Sequence, residues 1–152
     1  MFTMTKLMQA VRYQDISVGH RVFEQGGKCE NLHGHNYRIH FHVEGPCGFV
    51  NHKGVVLDFS TIKDLLCAWL EHNWDHRFLV YTKDPWKKTL KELDPSVLIV
   101  PFNPTAENMA VYLLDYVCAS ILEGTGLAVT KLVVEETRKC SVVYERRKNE
   151  AK

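Results

Sequence analysis

From Tyr37 to Glu44 apolar and polar residues alternate without a break: Tyr37, Ile39, Phe41 and Val43 against Arg38, His40, His42 and Glu44. A period of two predicts a half-buried strand with one row on a core. A preceding strand is expected over Met8 to His20, and the Gly26-Gly27 pair marks the loop between the two. Farther on the period changes. After Asp58 or Ser60, either of which can cap a helix, Ile62, Leu65, Leu66, Trp69 and Leu70 fall at i, i+3, i+4, i+7 and i+8. A second helix is predicted from Thr105 to about Glu123, burying Ala106, Met109, Ala110, Leu113, Val117 and Ile121 and ending at Gly124 and Gly126. Between the helices, Thr82 to Pro104 is interrupted by Pro85, Pro95 and Pro101 and reads as a loop with a short strand at Val97 to Val100. Two β-rich runs, Leu127 to Glu136 and Cys140 to Arg146, close the chain as a hairpin.

The order ββ, α, α, ββ predicts an α+β protein: an antiparallel sheet with the two helices on one face. The other sheet face must then be solvated or meet another subunit. No internal repeat or low-complexity tract stands out, and a single domain over residues 1–152 is expected.

Composition narrows the partners. Hydrophobic residues make up 45% and charged residues 24%, with a formal net charge of +1. No strong field calls for nucleic acid or a membrane surface. No apolar run approaches the roughly 20 residues of a membrane span. Met1 to Gln9 lacks the apolar stretch and small-residue cleavage site of a secretory signal, so the cytosol is the expected compartment. The five cysteines, at 29, 47, 67, 118 and 140, have no CxxC spacing, which argues against a disulfide framework or a Cys-rich zinc site.

The eight histidines point to chemistry. In an extended segment His33 and His35 would point the same way and could bind one metal ion, with Gly34 leaving room for close approach. Imidazole suits zinc, and a catalytic zinc keeps three protein ligands and an open position. His20, at the end of the preceding strand, is the best third ligand. A second His-x-His, His40 and His42, lies in the polar row of its strand, where a solvated or subunit-facing surface accounts for it. Cys29 stands four residues before His33. A nearby cation would favour its thiolate as base or nucleophile; alternatively it is a fourth ligand closing a structural site. Asp75-His76 reads either as a carboxylate orienting an imidazole for proton transfer or as a loop pair at a helix end. Glu136 ends the apolar row of Leu132 and Val134. It reads either as an acceptor for an amino-heterocycle or as a solvated strand end.

Several stretches together resemble the 6-pyruvoyltetrahydropterin synthase/6-carboxytetrahydropterin synthase family. They are Gly19-His20-Arg21, Cys29 to Tyr37, Val56 to Phe59, Asp75 to Leu79, Asn103 to Asn108 and Glu136-Thr137. The resemblance covers residues from about 8 to 146. It implies a tunnelling fold, a ββααββ unit assembling into an oligomeric β-barrel, commonly a hexamer of two trimers with active sites between subunits. Carried over by motif, it implies zinc on His20, His33 and His35, and Cys29 as the catalytic thiol. Asp75 and His76 become its proton-transfer partners from a neighbouring subunit. Glu136 becomes the anchor of the pterin ring, and Thr105 and Glu107 line the pocket. The three residues between Cys29 and His33 look like the carboxy-forming members of queuosine biosynthesis. These convert 7,8-dihydroneopterin triphosphate to 6-carboxytetrahydropterin, acetaldehyde and triphosphate. Glu30 departs from that pattern. A glutamate near this position serves some members that form 6-hydroxymethyl-dihydropterin, so Glu30 is also expected near the substrate. The 6-pyruvoyl reaction, or a non-catalytic zinc- or pterin-binding protein of the same fold, are the alternatives.

Overall fold

A computed structural model describes residues 6–146. Residues 1–5 and 147–152, at either end of the expected single domain and including part of the Met1 to Gln9 start, lie outside the described residues.

Two long strands, β1 (Gln9–His20) and β2 (His33–Glu44), pair antiparallel along their whole length. The alternation that predicted them is the alternation of burial: Ile16, Val18 and His20 of β1 and Tyr37, Ile39, Phe41 and Val43 of β2 are all buried. The loop between them carries a short 3₁₀ turn, Lys28–Glu30.

The first helix, α1, covers residues 59–73. An α-helical turn at Phe59–Ile62 widens into a π-helical stretch at Lys63–Cys67 and tightens again at Ala68–Asn73. Asp58 is its N-cap, accepting from the Ser60 backbone N–H. The later long helix, α3, covers 106–121 and is built the same way, with Thr105 as cap. Ile62, Leu66 and Leu70 of α1 and Met109, Leu113 and Val117 of α3 join Ile16, Val18, Tyr37, Ile39, Phe41, Leu132 and Val134 in one core cluster. Both long helices therefore cover the same sheet face, as expected. Fully burying each of these large aliphatic or aromatic groups contributes about 1.5–3 kcal/mol.

The sheet is larger than the expected antiparallel four strands. Its order is β4-β3-β1-β2-β5-β6, with β5 (Ala128–Glu135) and β6 (Ser141–Glu145) forming the predicted hairpin. Beyond these four come β3 (Arg77–Tyr81), which was not expected, and β4 (Leu98–Val100), which takes the place of the short strand expected at Val97 to Val100; they run parallel to β1 and to each other and make the sheet mixed. The Arg-Phe-Leu-Val-Tyr run of β3 has no period-two signal because both its faces are covered in part, so its pattern is ambiguous. The expected loop from Thr82 to Pro104 holds a helix, α2 (Lys87–Leu93), between β3 and β4. Parallel neighbours need such a crossover. Among the described residues no helix is long and apolar enough to cross a membrane.

Candidate metal centre and adjoining cavity

The β1–β2 register sets His20 opposite His33 and Val18 opposite His35. His33 and His35 continue the inward row of Tyr37 and Ile39, and His20 continues that of Ile16 and Val18. Three imidazoles thus meet where the apolar rows of the two strands run out. One ring nitrogen from each lies within 4.8 Å of the others. Gly34 between them allows this approach. A Cβ there would lie 2.8 Å from the Val18 carbonyl oxygen and 3.2 Å from Gly19 Cα.

Backbone carbonyls set the ring tautomers. His20 Nδ1 donates to the Pro104 carbonyl at 2.6 Å, and His33 Nδ1 to the Asn31 carbonyl at 2.7 Å. Each Nε2 is then a bare lone pair. His35 Nε2 is buried without a hydrogen-bond partner. Glu136 Oε1 stands 3.3 Å from it, near enough for an ion pair but without hydrogen-bond geometry. Two unprotonated ring nitrogens beside an orphaned buried one are the donor set of a cation site, and three imidazoles suit a transition metal such as zinc. Burial is the main force on His20 and pushes its pKa down to about 4; the Pro104 carbonyl resists, and the neighbouring His33 and His35 add to the drop. The His20 ring is therefore neutral, as a ligand must be, through the physiological range. The Tyr37 hydroxyl lies 3.4 Å from both His20 ring nitrogens. Burial first, then the Glu136 carboxylate, push this phenol upward and keep it protonated.

Beside His20 opens a cavity of about 290 Å³, whose walls include Val22, Cys29, Thr105, Glu107, Glu136 and Cys140. Cys29 is half-buried on the 3₁₀ turn. It is not among the residues whose donor atoms meet at the three histidines. The Thr105 hydroxyl oxygen accepts from the Asn108 N–H at 3.2 Å as the α3 cap, and its own O–H remains free to donate. Glu136 follows β5 directly, at the start of the tight turn into β6.

Other predicted residues stand elsewhere. Glu30, expected near the substrate, does not line this cavity. Its carboxylate accepts from the Gly26 N–H at 3.1 Å and lies 3.7 Å from Arg21 Nη2. With about three residues per 3₁₀ turn, neighbouring side chains point some 120° apart, so Cys29 and Glu30 diverge. Asp75 and His76 do pair, His76 Nδ1 to Asp75 Oδ2 at 2.9 Å. The Ser17 backbone N–H also donates to Asp75, at 2.8 Å. Burial pushes Asp75 upward, but these two donors outweigh it and hold the carboxyl below its usual value. His76 adopts the left-handed backbone, φ 56°, and its side chain is 81% exposed. The pair lines a separate groove of about 640 Å³ with Asp15, Asn36, Arg38 and Glu135, on the sheet face away from the helices. His40 belongs to that face too, with its Nε2 2.8 Å from Glu135 Oε2.

Sequence reasoning missed a set of supports. Asn103 clasps the Phe23 backbone, accepting from its N–H at 2.9 Å and donating to its carbonyl at 2.8 Å, which places the adjacent Pro104 carbonyl under His20. Arg21 and Asp84 form a buried ion pair at 2.8 Å. Partners 63 or 80 positions apart leave no periodic trace in a sequence.

A sequence model described as 6-pyruvoyl tetrahydropterin synthase matches residues 10–147. A protein of Rickettsia bellii named 6-carboxy-5,6,7,8-tetrahydropterin synthase is 30% identical over 138 residues, spanning 90% of this chain and 99% of that one. Among solved structures, an uncharacterized protein from Wolinella succinogenes superposes with a TM-score of 0.82 at 23% identity, covering 94% of this chain and all of the other. The 6-pyruvoyl tetrahydropterin synthase of Caenorhabditis elegans gives 0.64 at 24% identity, covering 95% of this chain and all of its own. These two likenesses establish the fold.

Proposed function

The chain belongs to the 6-pyruvoyl tetrahydropterin synthase family, a family of lyases acting on pterins, and from that premise we propose that it is a zinc-dependent 6-carboxytetrahydropterin synthase. Its substrates are 7,8-dihydroneopterin triphosphate and one water, and its products are 6-carboxytetrahydropterin, acetaldehyde and triphosphate, in the route to queuosine. The observation that carries this is the meeting of the three imidazoles beside a cavity walled by Cys29 and Glu136. Relatives named for the carboxy-forming reaction and the three-residue gap between Cys29 and His33 support the choice of product. The placement of Glu30 against Gly26 and Arg21 speaks against the hydroxymethyl-forming alternative.

His20 and His33 through Nε2, with His35, are the zinc ligands. The bound ion supplies Lewis acidity toward the side-chain hydroxyls of the substrate. Glu136 accepts paired hydrogen bonds from the amino-pterin edge and orients the ring. Thr105 donates its free O–H, and Glu107 completes the ring pocket. Cys29, as thiolate, takes a proton from the side-chain carbon. Asp75 holds His76 in one orientation so that the imidazole relays protons. Because the pair stands outside the cavity of its own chain, it acts from a neighbouring copy in the assembly, a hexamer of two trimers. The cytosol is the proposed compartment.

The test is product analysis. Purified, zinc-loaded protein incubated with 7,8-dihydroneopterin triphosphate should release 6-carboxytetrahydropterin and stoichiometric acetaldehyde. A single 6-pyruvoyl product would replace the carboxy assignment with its closest alternative. Tight pterin binding with no turnover would make the chain a binding protein.

A further inference from the structure

Arg21 and Asp84 are both buried, Arg21 5% and Asp84 0% exposed. Arg21 Nε donates to Asp84 Oδ2 at 2.8 Å, and Arg21 Nη1 donates to the Glu30 carbonyl at 2.7 Å. The guanidinium carbon lies over the Trp86 ring, 3.9 Å from its centroid, and the Trp86 backbone N–H donates to the other oxygen of Asp84 at 2.8 Å. A buried ion pair adds little net stability over well-packed apolar groups, because both charges must leave water. What it does provide is direction. The planar fork of arginine, held by one carboxylate and one ring, aims an Nη1 N–H at a fixed point.

That point is the carbonyl of the residue after Cys29. The carbonyl of Cys29 itself accepts from the Val22 N–H at 2.8 Å. The carbonyl of Cys29 and that of the next residue are therefore held by residues 22 and 21, which follow His20 directly. Thiol and imidazole share one backbone reference.

We infer that Arg21, locked by Asp84 and Trp86, is a positioning residue that aims the Cys29 thiol across the cavity at the carbon whose proton it removes. The inference rests on the reading of Cys29 as the reactive thiol. It also gives a task to the start of the segment after β3, which the sequence offered only as loop.

The experiment compares wild type with Asp84→Asn, which keeps the shape and removes the charge. Three quantities are measured: kcat and KM with the pterin substrate, the visible spectrum of the cobalt-substituted protein, and the rate at which iodoacetamide alkylates Cys29, read by peptide mass spectrometry with exposed Cys47 as internal control. A misplacement near 1 Å can slow a reaction about 100-fold, so kcat should fall by about that factor while KM stays within about 2-fold. The cobalt spectrum should not change, and Cys29 alkylation should shift while that of Cys47 does not. Unchanged kcat, or loss of the cobalt spectrum together with activity, would overturn the inference. Should Asp84→Asn fail to fold, Trp86→Ala leaves both charges paired and is expected to slow kcat several-fold in the same pattern; an unaltered kcat there would equally overturn it. The alkylation contrast needs no turnover. A wild type without synthase activity would refute the functional reading, and an unshifted Cys29 rate would refute the positioning.

Discussion

In the function proposed above, Cys29 and the three histidines divide the work between two chemistries. The imidazoles meet without the thiol, and the thiol faces the cavity beside them. Cys29→Ala should therefore abolish turnover and leave one zinc per chain by elemental analysis; loss of zinc would make the cysteine a ligand. His20 carries a second prediction. Its folded pKa of about 4 lies below the ordinary 6.5. Between these values the unfolded chain binds a proton that the folded chain refuses. The stabilisation is complete above pH 6.5 and is lost as pH falls through 4, amounting to roughly 3 kcal/mol at full titration. Urea midpoints of the chelated, metal-free protein should fall across that window, and should fall less in His20→Gln. Asp75, held below its usual value, adds a further loss at more acid pH. The shared direction of His33 and His35 was legible in the sequence, because spacing alone puts i and i+2 on one side of a strand. The aim of Glu30 was not, since it depends on where a 3₁₀ turn sends adjacent side chains.

At the scale of elements, the centre depends on how closely β1 and β2 approach at their far ends. Gly34→Ala would press a methyl against the Val18 carbonyl, where backbone rather than a flexible side chain must give way. The expected cost is about 1–3 kcal/mol, with weakened metal binding, because His33 and His35 flank the displaced residue. Thermal melting and cobalt titration check this; full-affinity binding in Gly34→Ala would show that the strands tolerate wider spacing. Asp58→Ala removes the α1 cap and should cost about 1 kcal/mol, with no change in metal affinity. The long strands and helices were readable because each repeats its period over many residues. β4 was legible as the short apolar run at Val97 to Val100, whereas β3 and α2 were hidden because each is short and the prolines near them resemble loop.

For the whole molecule, the telling fact is the separation of Asp75 and His76 from the cavity of their own chain. They line the sheet face away from the helices, where Val11, Tyr13 and Val143 are also exposed. If copies of the chain complete one another's sites, Cys29→Ala and His76→Ala should each be inactive alone. Mixed at equal amounts after dissociation and reassembly, they should regain about one quarter of wild-type activity, because that share of sites pairs two intact contributions. Failure of any mixture to recover activity would confine the site to one chain and remove the Asp75–His76 pair from the mechanism.

By itself the sequence determined the two long strands, the two long helices on one face and the inward row that ends in His33 and His35. These follow from periodicity, which is a local property of the chain. It determined the family as well, through motifs spread along the chain. Only the tertiary structure decided that His20 closes on His33, that Pro104 and Asn31 set the two tautomers, that Arg21 finds Asp84, and that Glu30 and His76 stand outside the cavity. Those outcomes depend on contacts between residues far apart in sequence, where strand register and loop path, rather than side-chain spacing, determine which groups meet.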